Sequence, residues 1–124
     1  MSLAIVTAVA IAILFIRWLD HRDRPNPFAN PEVRYEGGDG SAPNQAIIVR
    51  GADSDIAGTA ATFAWMHDNI GPKDIAWRLN THSTGRLGHV HIDTFDITLA
   101  DGAQRTLFFD VTEGFGKPYR PRNG

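Results

Sequence analysis

Residues 3–16, LAIVTAVAIAILFI, carry no charge, no Gly and no Pro, and Thr7 is the only polar side chain among them. A run of this kind is buried either in a protein core or in lipid, and its length alone leaves that choice open. The flanks decide it. With Trp18 and Leu19 added, and Arg17 reaching its guanidinium toward the headgroups, the segment supplies about 18 helical residues and roughly 27 Å of length, enough to span the hydrocarbon layer without tilt. Trp18 then falls where interfacial aromatics sit. The residues expected in lipid are Leu3, Ile5, Val6, Ile11, Ile13, Leu14, Phe15 and Ile16, with Arg17 and Trp18 at the boundary.

A cleaved signal peptide needs basic residues before the apolar core and a small-x-small site after it. Residues 1–7 hold no Lys or Arg, and Arg17-Trp18-Leu19-Asp20 follows the core, so the segment reads as an uncleaved single span. The chain has no cysteine, which excludes a lipoprotein anchor and fits either redox compartment. Arg17, Arg22, Arg24 and Arg34 all follow the span. The positive-inside rule therefore places the protein in the inner (cytoplasmic) membrane with its C-terminal domain in the cytoplasm, the alternative being a periplasmic domain.

Residues 20–44 contain Pro25, Pro27, Pro31 and Pro43 and then Gly37-Gly38-Asp39-Gly40-Ser41, and read as a linker stiff at its start and loose at its end. The glycine-rich piece lacks the Lys-Ser/Thr helix start of a phosphate-binding loop. Asn26-Pro27-Phe28 has the form of a short docking peptide. What remains, residues 45–116, has room for one small domain. Residues 117–124, KPYRPRNG, form a basic tail in which Pro and Gly exclude regular structure. A net charge of −2 offers no basic field for nucleic acid.

Within the domain, AIIVR at 46–50 is a continuous apolar run bounded by turn formers and reads as a buried strand. A helix follows, started by Asp53 or Ser54 and stopped by Gly71-Pro72. Ile56, Ala60, Phe63, His67 and Ile70 recur along one of its faces, and the small residues Ala57, Gly58, Ala61 and Ala64 occupy another, suited to tight packing on the domain itself. Strands are expected at 75–81, 89–99 and 105–111, with turns at 83–88 and around Asp101-Gly102. The fold class is α+β: a transmembrane helix, then β-α-β-β-β with one helix on one face of a four-stranded, mostly antiparallel sheet.

In the strand 89–99, Val90 and Ile92 point one way while Phe95, Ile97 and Leu99 point the other. Either a bulge near Asp93-Thr94 reverses the parity, or Val90, Ile92 and Phe108 form an apolar patch on the uncovered face, with Trp77 joining it if the register shifts. Such a patch is a partner site.

One constellation suggests chemistry: His89-Val90-His91-Ile92-Asp93, with His82 across the turn. H-x-H-x-D resembles the metal-binding stretch of metallo-β-lactamase-type hydrolases, and the resemblance implies zinc held by alternate residues of one segment. It covers five residues; Thr94 stands where that family has its next histidine, and about 75 residues are too few for its αββα fold. A two-residue turn at Gly85-Arg86 sets His82 opposite His89 and Arg78 opposite Asp93, so the histidines share a face, either as metal ligands or as polar residues of a wet sheet, whereas a one-residue shift sends His82 to the other side. Cysteine nucleophiles, the Gly-x-Ser-x-Gly elbow and nucleotide-binding glycine patterns are absent.

The sequence thus points to a membrane-anchored, non-enzymatic accessory or interaction module, a small subunit or assembly factor of a membrane protein complex. Its partners are lipid and that complex, and no cofactor is called for. The alternative is a metal-binding or hydrolytic domain using His82, His89, His91 and Asp93.

Overall fold

The computed structural model describes residues 25–119. The expected anchor residues, from Leu3 to Trp18, and the end of the basic tail lie outside them. Among the described residues no helix is long and apolar enough to cross a membrane.

The domain is α+β, with one helix and a five-stranded mixed sheet. The strands are β1 (Arg34–Gly37), β2 (Ile47–Arg50), β3 (Trp77–Leu87), β4 (Val90–Leu99) and β5 (Gln104–Asp110), in the sheet order β1-β2-β5-β4-β3. The helix α1 (Asp55–Asn69) connects β2 to β3. Only β2 and β5 run parallel; the other neighbours are antiparallel.

The four-stranded expectation is corrected by β1, which comes from the supposed linker. Arg34–Gly37 pairs antiparallel with β2, Tyr35 opposite Val49. Being an edge strand, it needs only one partner and tolerates an exposed polar face, so the Pro- and Gly-rich surroundings hide it. The segment before it is also packed. Asn26 Nδ2 donates to the Ala64 carbonyl at 3.0 Å and to Asp68 Oδ1 at 3.1 Å, and Phe28 meets Phe63 with ring centroids 5.4 Å apart. Gly51, at φ +83°, lets this segment pass, because a Cβ there would collide with the Glu32 carbonyl oxygen.

Tyr35 fastens β1 to the helix by donating its hydroxyl to the Ala61 carbonyl at 2.6 Å. Burial, reinforced by the charge of Asp68, pushes its pKa up from 10.0 to about 12. Above pH 10 the unfolded chain releases this proton while the folded chain keeps it, so stability falls as pH climbs toward 12. Thermal unfolding followed from pH 9 to pH 12 should show that fall. Tyr35→Phe should flatten it and cost about 1 kcal/mol at neutral pH; an unchanged slope would mean that Tyr35 is not the group responsible.

The helix begins where expected. Ser54 is the N-cap, its Oγ accepting from the Ala57 N–H at 3.1 Å, and Asp55 adds a negative charge to the first turn. Its packing face is the small one: Gly58, Ala61, Thr62, Ala64 and Met66 are buried. Small side chains let the helix axis approach the sheet closely, and this turns Ile56 outward, 64% exposed. The small face thus packs on the domain, as its residues suggest. Phe63, on the flank, reaches Trp77 and Phe95 at centroid distances of 6.1 and 5.6 Å, and Trp65 meets Phe109 edge-on at 5.6 Å. Ile47, Val49, Phe95, Ile97, Leu107 and Phe109 complete the core.

Trp77 opens β3 and is 2% exposed, with its indole Nε1 donating to the Gly71 carbonyl at 2.9 Å. It is a core residue that no partner can reach. The β3–β4 turn falls at Gly88-His89, three residues beyond Gly85-Arg86, since Leu87 pairs with Val90 and Gly88 takes φ +63°. A bulge at Asn80 shifts the register by one, so the irregularity lies on β3 and not near Asp93-Thr94 on β4.

Candidate functional site

The register decides which of the singled-out residues meet. His82 lies opposite Phe95, Thr84 opposite Asp93, Arg86 opposite His91 and Arg78 opposite Thr98. Alternation places His91, Asp93 and Phe95 on the helix side of β4, with Ile92, Thr94 and Asp96 on the other.

Asp93 is 4% exposed, and both its carboxylate oxygens are engaged. Thr84 Oγ1 donates to Oδ1 at 2.7 Å, and His82 Nε2 stands 3.4 Å from Oδ2. The His82 ring lies flat on Phe95, centroids 4.2 Å apart and planes within 10°. Asp93 and Thr84 form one wall of a cavity of about 420 Å³ at the start of α1, with Ser54, Gly58 and Thr59 on the opposite wall and Phe115 at its side. Gly58 leaves this space open, because a Cβ there would meet nothing within 4 Å. Asp55 Oδ1 accepts from the Gly116 N–H at 2.7 Å and ties the C-terminal segment to the same helix end.

The four-residue metal set does not assemble. His82 and Asp93 adjoin, but His89 sits exposed in the turn and His91 stacks on Phe115 at 3.5 Å between centroids. Among the described residues no group of three or more His, Cys, Asp or Glu side chains could hold a metal ion. The sequence pattern failed because the turn lies further along than the glycine at 85 suggests, which moves His89 off the strand.

The other expected site, on the open face of the sheet, is partly covered. Ile92 is 6% exposed, while Val90 and Phe108 are half-buried. The segment ahead of β2 accounts for this: the Phe108 N–H donates to the Gly40 carbonyl at 2.9 Å, and a 3-10 turn at Pro43–Gln45 brings Pro43 to this face. What remains is a shallow groove of about 190 Å³ between Pro43, Leu87, Ile92 and Phe108. Beside it the face is polar. Asp96 accepts from Thr106 at 2.6 Å and Thr81 at 2.8 Å, and these hydroxyls hold its carboxyl below the usual carboxylate range.

Comparison with protein-family models, with curated proteins and with solved structures finds no match to this chain.

A third feature escaped the sequence reading. Along the outer side of α1, Phe28, Ile56, Thr59, Ala60 and Phe63 line an almost wholly apolar groove of about 410 Å³ with Asp55 at one end. Phe28 is placed by Asn26, whose Oδ1 accepts from the Phe28 N–H at 2.9 Å in an Asx turn. Asn-Pro-Phe was visible in the sequence, but its role here is to wall a groove on its own domain.

Proposed function

We propose that this chain is a membrane-tethered, non-enzymatic interaction module, an accessory subunit or assembly factor of a membrane protein complex, with its domain on the cytoplasmic side. The observation that carries the proposal is the shortness of the tether. Because residues 25–37 are part of the folded body, only residues 20–24 separate it from the apolar segment ending at Leu19. Fully extended, that connection reaches about 20 Å. A domain leashed so closely works at the bilayer surface, where its neighbours are the exposed loops and helix ends of other membrane proteins. Arg22 and Arg24, between span and domain, and Arg17 at the end of the span support the cytoplasmic side.

Fractionation of cells expressing the full-length chain tests this. The chain is expected in the membrane pellet after an alkaline wash, with an intact N-terminus, and in mild detergent it should co-purify with a membrane protein. Recovery of full-length chain in the soluble fraction, or a mature form starting beyond residue 19, would overturn the tether.

A further inference from the structure

We infer that the groove along α1 receives a basic amphipathic segment of a membrane-protein partner, lying close to where that partner leaves the bilayer. This rests on the tethered reading and names the partner's chemistry. The groove is lined by the apolar side chains of Phe28, Ala60 and Phe63, and Ile56, also in its lining, stands 64% exposed. A large side chain so exposed beside an apolar trough is what a helix-in-groove contact uses as an anchor.

Charge selects among occupants. Asp55 closes one end of the groove, and Asp68, held by Asn26, stands near the other end of the helix. From Gly51 to Pro72 the sequence has Asp53, Asp55 and Asp68 but no Lys or Arg. An acidic surface of this kind is repelled by anionic headgroups, which argues against a lipid leaflet as the occupant. It complements the Lys- and Arg-rich flanks that membrane proteins carry on their cytoplasmic side.

The test uses the full-length chain in native membranes, with a photoreactive benzoylphenylalanine at Ile56 and, as control, at Leu87, which is 58% exposed at the β3–β4 turn. The expected adduct from Ile56, and not from Leu87, maps to a peptide rich in Lys and Arg next to a span of a second membrane protein. Its yield should fall about tenfold with Ala60→Lys, which places a cation in the groove, and should fall again in 0.5 M salt, roughly as screening predicts. Membrane association and circular dichroism of the variant should match those of the parent. Adducts to lipid alone, to residues 1–24 of the same chain, to a partner peptide without basic residues, or none at all would each overturn the inference. If instead the chain is found in the supernatant, the tether itself has failed, and that is read in the same preparation before irradiation.

Discussion

Replacing Trp77 by alanine is expected to leave most of the chain unfolded in mild denaturant, with a loss of about 3–5 kcal/mol. Domains of this size are stable by about 5–15 kcal/mol in total, so the loss is a large share. The side chain is almost fully enclosed, stacks against Phe63, and donates its indole N–H to the Gly71 carbonyl, which pins the helix exit to the start of β3. Trp77→Phe keeps most of the apolar contact and should cost about 1 kcal/mol for the lost hydrogen bond, more where the freed Gly71 carbonyl stays dry. Urea unfolding followed by circular dichroism separates the two variants. Equal midpoints for Trp77→Ala and the parent would return Trp77 to the surface, where the sequence reading had placed it as a partner residue.

The second large effect concerns where the domain begins. A chain cut to residues 45–119 should aggregate or unfold without cooperativity, whereas one cut to residues 25–119 should unfold in a single transition. The shorter piece loses the Tyr35 bond to Ala61 and the partial burial of Phe28, Val33 and Tyr35, on the order of 4 kcal/mol together. It also exposes β2, whose Ile47 and Val49 are core residues, as an unprotected sheet edge. Matching urea midpoints for the two pieces would show that β1 is dispensable.

These two experiments bracket what was legible in the residues. The β2 run, the Ser54 cap, the Gly71-Pro72 stop and the Asp101-Gly102 hairpin were readable, since each rests on local chemistry that tertiary contacts do not override. Strand β1 was not, because an edge strand of sequence RYEG needs no apolar alternation and lies among turn formers. The end of β3 was missed for a related reason: from Ser83 to Leu87 it is exposed, so its sequence carries no core-facing period and reads as a turn. That single misplacement moved the hairpin turn, and with it the histidines. The contact between His82 and Asp93 is therefore one that spacing alone could not have specified. On the helix the small face was legible as the packing face, since Gly58 and Ala61 allow a close approach to the sheet, and this leaves Ile56 beside the groove.

The parallel pairing of β2 with β5 sets an order of events during synthesis. Because β5 lies between β2 and β4, the middle of the sheet stays unfilled until Asp110 has left the ribosome, and the helix start gains its contact with Gly116 later still. The domain therefore closes only once nearly all of it has been synthesised.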